Sequence, residues 1–210
     1  MPSKKKPSPE AGRKSAYVAR NRAAIVNAAL EVLADNGQHA TMEQVADASG
    51  MAMSTVYKHF KDKDELIAAV LIEKFIEWEA WASAKGAHIT DPLEQLVYPM
   101  RMFVRITQTH PSQAKVLVSH FGVIASITPM LQSQLIGHVK DLNKSNLLNL
   151  VDPAGAAKNV HAVLTFAVIN QITNPKATVN DADMAIRTAL SMLGISEAKA
   201  KKLTEAKLPL

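Results

Sequence analysis

Apolar positions recur along this chain with helical spacing, and no stretch sustains the period-two alternation of a half-buried strand. The predicted fold class is therefore all-α, with about nine helices. The first, over about 16–36, carries Ile25, Ala29, Val32 and Leu33 on one face and stops at Gly37. Thr41 with Gln44 three positions on fits a capping box, and Met42, Val45, Ala46 and Ser49 then share a face. Gly50 can take the left-handed conformation that ends such a helix. The next helix, about 52–60, turns Ala52, Val56 and Phe60 inward. Ser54, Thr55, Tyr57 and Lys58 fill the opposite arc, with Met53 on its flank. Asp62 as N-cap and Glu65 at N3 open a long helix, about 63–84, with Leu66, Ile67, Val70, Leu71, Phe75 and Trp78 inward. Lys85-Gly86-Ala87 breaks it.

Beyond Gly86 the punctuation is mostly proline. Asp91-Pro92, His110-Pro111, Thr128-Pro129 and Asp152-Pro153 read as helix starts, with Pro at the first helical position. Asn180 with Asp183 reads as one more cap. The helices implied are 92–109, 111–120, 129–149, 153–173 and 181–193, closed by Gly194. Residues 195–210 are expected to form a short helix or a frayed tail. The segment 153–173 is apolar over most of its surface, so it must be buried nearly all round. Small residues in it and in 181–193 (Ala157, Ala162, Ala167, Ala185, Ala189) permit close helix approach. A two-fold four-helix interface built from this pair in each of two subunits would cover both segments.

Two short helices joined by a glycine-containing turn, the second with hydroxyls, a phenol and an ammonium on its outer face, form a helix-turn-helix pattern. Those groups suit phosphates and base edges. Lys63 sits in the first turn of its helix, where the dipole disfavours a cation, and a nearby phosphate would account for it. The run Gly50-Met51-Ala52-Met53-Ser54-Thr55-Val56-Tyr57-Lys58-His59-Phe60-Lys61-Asp62-Lys63-Asp64-Glu65-Leu66 resembles the DNA-binding signature of the TetR family of transcriptional regulators. The likeness covers roughly 18–71. Thr41, Thr55, Tyr57, Phe60, Lys63 and Leu66 stand at its characteristic positions, whereas Ala52 departs from the usual serine. The resemblance implies phosphate contacts from Thr41, Tyr57, His59 and Lys63, and major-groove contacts from Met53, Ser54, Thr55 and Lys58. It also implies a homodimer on a two-fold duplex operator. By angle alone His59 falls on the inner flank of its helix.

Composition adds three points. Residues 1–22 carry seven Lys and Arg against Glu10, whereas the whole chain has a net charge of +5. The basicity thus lies beside the helix-turn-helix, where it would raise the salt dependence of nucleic-acid binding. Residues 1–15, rich in Lys, Pro and Ser, are expected to be a disordered tail, either merely solubilising or touching DNA. Zero cysteines exclude disulfides and thiolate metal sites and suit a reducing cytoplasm. No apolar run reaches membrane-spanning length, and no signal-peptide stretch is present, so no membrane partner is expected.

Catalytic chemistry has little to stand on. The seven histidines show no metal-ligand spacing, and neither a GxSxG nucleophile motif nor a glycine-rich phosphate loop occurs. No cofactor, metal or catalytic residue is assigned, and Asp181 and Asp183 read as an acidic first turn. Six of the ten aromatic residues, however, fall between 75 and 121. Trp78, Trp81, Tyr98, Met102, Phe103 and Phe121, with His161, form a candidate pocket, the alternative being ordinary core. Arg101 and Arg105 share a face, for an anionic ligand, for glutamates of the long helix, or for solvent.

The plan that results is a basic tail over 1–15 and a helix-turn-helix domain over 16–62. A ligand-binding and dimerisation domain over 63–194 and a C-terminal tail over 195–210 follow. The function expected is a DNA-binding regulator, a repressor released from its operator by a small, mostly apolar ligand. A regulator whose C-terminal part only dimerises remains an alternative, with a small all-α enzyme a remote one.

Overall fold

The computed structural model describes residues 9–206 and 208. Among them there are twelve α-helices, a short 3-10 turn and no strand. The chain clusters into two compact units, Met1–Val70 and Leu71–Leu210.

The first unit holds α1 (Pro9–Asn36), α2 (Met42–Ser49), α3 (Met53–His59) and the start of α4 (Lys63–Lys85). Its core is the set that the periodicity selects: Ile25, Ala29, Leu33, Val45, Val56, Phe60, Leu66 and Ile67 are all nearly inaccessible. Burying Val56 and Phe60 contributes about 1.5–3 kcal/mol each, which fixes the roll of α3 and so decides which of its side chains face out. The helix expected from about residue 16 begins at Pro9 instead, so residues 9–15 are helical. Proline at the first helical position forgoes only an N–H that has no partner within the helix. The remainder of the expected tail, 1–8, lies outside the described residues.

The second unit holds the rest of α4, then α5 (Pro92–Phe103), α6 (Ile106–Thr109), α7 (Pro111–Ser119) and α8 (Phe121–Leu131). It continues with α9 (Ser133–Lys144), α10 (Pro153–Thr173), α11 (Val179–Met192) and α12 (Glu197–Glu205). Aromatic packing anchors the core: Trp78 and Phe103 meet edge to face at 5.5 Å, and Phe75 stacks on Trp78 at 5.7 Å. α10 and α11 make the most extensive helix pair in the chain, with Ala157, Ala182 and Ala189 fully buried.

Several expected boundaries are corrected. The single helix over 92–109 is interrupted at Val104 and Arg105. Pro129 does not start a helix but lies in the last turn of α8, so the expected 129–149 becomes the end of α8 plus α9. α11 is capped by Thr178 and not Asn180. Thr178 Oγ1 accepts the Asp181 N–H at 3.2 Å, and Asp181 accepts the Thr178 N–H at 2.7 Å. The Thr178 N–H, and then the Thr178 hydroxyl donating to Asp181 Oδ2 at 2.8 Å, hold the Asp181 carboxyl below the usual carboxylate range. The expected short C-terminal helix or frayed tail is a helix, α12. The nine expected helices thus become twelve.

Candidate functional site

The turn between α2 and α3 is built from local chemistry. Gln44 N–H donates to Thr41 Oγ1 at 3.2 Å, and the Thr41 N–H donates to Gln44 Oε1 at 2.9 Å, a complete capping box. At the other end Gly50 adopts φ +65°. Its N–H reaches the Asp47 carbonyl at 3.1 Å, and the Met51 N–H reaches the Ala46 carbonyl at 3.0 Å, which is a Schellman closure. α3 then leaves in a new direction with its start and rotation set.

That rotation presents Ser54, Tyr57 and Lys58 to solvent, Tyr57 being 50% exposed, with Met53 and Thr55 half-buried beside them. Ala52, expected to point inward, is instead the exposed N-cap of α3 and supplies no side-chain cap. The three-residue connection Gly50–Ala52 leaves the cap position outside the helical arc on which the expectation was counted. His59 is half-buried with its ring 6.3 Å from that of Phe60, on the flank away from Ser54. The Arg22 guanidinium lies 4.8 Å from the Phe60 ring centre on the inner side.

Thr41 is exposed at the start of α2, and Lys63 is partly exposed at the start of α4. Lys63 Nζ donates to the Gln38 carbonyl at 2.6 Å, tying α4 to the turn that precedes Thr41. Sequence reasoning missed this bond, since a backbone carbonyl twenty-five positions away leaves no sequence signal. Asp62 accepts the Glu65 N–H at 2.8 Å, and Glu65 accepts the Lys61 N–H at 2.8 Å.

A second candidate site lies wholly within the second unit. α4, α5, α9 and α10, with Leu131 of α8, enclose a cavity of about 380 Å³. This is within the range of small-molecule sites. Four of the seven anticipated residues line it: Trp78, Tyr98, Phe103 and His161. Three do not. Met102 is sealed in the core, Trp81 packs edge-on against His110 at 4.8 Å, and Phe121 lies against Phe166 at 5.9 Å. Trp81 falls one helical step off the inward face of α4, and Phe121 opens a helix that the sequence places in a connection.

The polar part of the lining went unforeseen. Glu79, Gln95, Gln134 and His138 all border the cavity. With its amide turned to donate, Gln134 reaches the Glu79 carboxylate. Burial raises the Glu79 carboxyl above its ordinary range. Burial lowers His138, against the opposing pull of Asp141, and lowers His161, favouring neutral rings. His161 Nδ1 lies 3.4 Å from Gln132 Nε2. Trp78 Nε1 and Tyr98 Oη are buried with no hydrogen-bond partner. The signal for Glu79 was present: it stands four positions after Phe75 and one after Trp78, on the inward arc of α4.

Arg101 and Arg105 do not line this cavity. Arg105 Nη2 donates to Asp183 Oδ1 at 2.6 Å, and Arg101 Nη1 donates to the Ala206 carbonyl at 2.7 Å. They join α5 to α11 and to the end of α12, so their role is structural. Asp183 is thus an ion-pair partner rather than part of an acidic first turn. Among the described residues no group of three His, Asp or Glu is arranged to hold a metal ion, and no helix is long and apolar enough to cross a membrane.

Comparison with known proteins places this geometry. Residues 25–70 match the family model described as bacterial regulatory proteins, tetR family. The HTH-type transcriptional regulator RutR of Escherichia coli (strain K12) is 26% identical over 132 residues, 62% of this chain and 60% of RutR. The chain thus spans about 60% of the length of that relative. The fatty acid metabolism regulator protein of Bacillus subtilis (strain 168) is 39% identical over 57 residues, 25% of this chain and 29% of that protein. Among solved structures, RolR in complex with resorcinol superposes with a TM-score of 0.77 at 16% identity, covering 93% of this chain and 98% of RolR. That likeness speaks for the fold alone. Residues 25–70 thus carry the helix-turn-helix segment of the tetR family of bacterial regulatory proteins, on a chain whose all-helical fold is similar to that of RolR.

Proposed function

We propose that this protein is a homodimeric transcriptional regulator that binds a two-fold duplex operator and is released from it by a small ligand. The observation that carries the reading is the outer face of α3, polar and solvent-facing, held at a fixed rotation by the buried Val56 and Phe60. Residues 16–62 would serve DNA, and 63–194 would serve sensing and dimerisation. Met53, Ser54, Thr55 and Lys58 would address base edges in the major groove. Thr41, Tyr57, His59 and Lys63 would hold phosphates and set the register. Lys63 would exchange its Gln38 carbonyl for a phosphate oxygen, which compensates its charge better.

Dimerisation is supported by an apolar surface that the single chain leaves open. Phe166 of α10 is 61% exposed and Met184 of α11 is 46% exposed, although 153–173 has the composition of a buried helix. A partner's α10 and α11 would cover them and place two α3 helices one duplex turn apart, ~34–36 Å. The cavity supports ligand responsiveness, as does the ligand-bound state of RolR. α4 contributes to both units and is the natural path between them. A ligand that prefers one spacing of the reading heads would shift DNA affinity by its differential affinity for the two states. A cytoplasmic location follows from the same function.

The test is selection from a random duplex library, with wild-type and Lys58→Ala protein. The expected result is a two-fold motif from the wild type and an altered preference within each half-site from the variant. Recovery of the same motif by both proteins would remove Lys58 from base readout, and recovery of no motif would overturn operator recognition.

A further inference from the structure

The cavity between α4, α5, α9 and α10 discriminates by charge. Among its described lining residues Glu79 is the one carboxylate, and neither lysine nor arginine is present. Lys140 and Lys144 of α9 and Lys158 of α10 are exposed and do not line the cavity, and the other cations near it are engaged elsewhere. Arg101 and Arg105 serve Asp183 and the C-terminal end of α12. Lys74 pairs with Glu77 at 2.8 Å, and Lys85 lies over Trp81 at 5.9 Å. An anion entering the cavity would therefore lose its hydration beside a carboxylate with no counter-charge to meet it.

The walls favour the opposite sign. Phe75, Trp78, Tyr98 and Phe103 supply aromatic surface, and the faces of such rings attract cations most strongly where water is excluded. Gln134 holds the Glu79 carboxylate through its amide, so the acceptor is oriented before any ligand arrives.

We infer that the cavity takes a small organic monocation, an ammonium carried on an aromatic or branched apolar body, with Glu79 as its counter-ion. This rests on the reading of the cavity as an effector site and adds its chemical class. The same geometry rejects carboxylates and phosphorylated carriers. The sequence match to the fatty acid metabolism regulator protein of Bacillus subtilis covers 57 residues, and the structural likeness to FadR from that organism, at 18% identity, speaks for the fold alone, so neither carries ligand chemistry over to this cavity.

The experiment is isothermal titration of the full-length protein with three probes of nearly equal shape: phenylpropylamine, phenylpropanol and phenylpropionate. The amine is expected to bind at least about tenfold more tightly than the alcohol, the scale of one charge-assisted hydrogen bond, and the carboxylate more weakly than either. Glu79→Gln should bring the amine down to the affinity of the alcohol and leave the alcohol unchanged. Gln134→Lys, at an exposed position, should place an ammonium beside Glu79 and abolish the same preference. Carboxylate binding equal to that of the amine, a preference that survives both substitutions, or binding of none of the three would overturn the inference. Operator affinity measured with saturating amine separates the two readings. Tight amine binding with unchanged operator affinity would keep the organic-cation site and reject its role as an effector site.

Discussion

Replacing Phe166 with alanine should dissociate the dimer while leaving each chain folded. A phenylalanine side chain presents roughly 150–250 Å² when fully exposed. At 61% exposure, Phe166 leaves about 100–150 Å² for a partner to cover. At about 25 cal/mol per Å² that is about 3 kcal/mol per copy. A two-fold interface doubles it, and alanine retains a small part, so the loss is about 4–5 kcal/mol, or roughly a thousandfold in dissociation constant. Within the chain Phe166 gives up its 5.9 Å ring contact with Phe121, worth about 0.5–1.5 kcal/mol. Val168→Ala on the same helix provides the contrast, because Val168 is fully inaccessible and its loss should lower the melting temperature directly. Sedimentation velocity across micromolar concentrations reads the first effect and circular-dichroism melting the second. A Phe166→Ala protein as dimeric as the wild type across that concentration range would refute the assignment of this surface.

Three further outcomes follow. Lys63→Ala should weaken binding to every duplex and flatten the dependence of log affinity on log salt by about one unit, measured by fluorescence anisotropy; an unchanged slope would leave Lys63 with only its tie to Gln38. Gly50→Ala should cost about 1–2 kcal/mol, because φ is +65° and an added Cβ meets nothing within 4 Å, so the penalty is backbone strain alone; a melting temperature equal to wild type would contradict it. Gly86→Ala should press its methyl to 2.9 Å from Tyr98 Cδ1, displacing a ring that lines the cavity, and should weaken phenylpropylamine binding in calorimetry while nonspecific DNA affinity stays at the wild-type value.

The helix-turn-helix was legible because its determinants are local. The capping box of Thr41 and Gln44, the left-handed Gly50 and the spacing of Val56 and Phe60 each act within a few residues, and together they define an outer face without any tertiary knowledge. The second unit was legible in class but not in detail. Pro129 carries the same sequence signal as Pro92 and Pro153 but closes a helix where they open one. Only packing distinguishes the two cases: Thr128 Oγ1 bonds back to the Ile124 carbonyl within α8, whereas Asp91 and Asp152 cap forward. The aromatic half of the cavity could be anticipated because its residues cluster in the chain. Gln134 and His138 could not, since they join Glu79 and Trp78 in the lining from a helix more than fifty positions on. The exposure of Phe166 inverts a reading of composition, because a helix apolar nearly all round is covered in part by something other than its own chain.

The central claim is that the outward face of α3 lies against duplex DNA, twice per dimer. Hydroxyl-radical footprinting of a selected operator with the full-length protein tests it most directly. The account predicts two protected half-sites one helical turn apart, with protection lost when Thr55 and Lys58 are both changed to alanine. Protection of a single half-site, or a footprint indifferent to that double substitution, would contradict it.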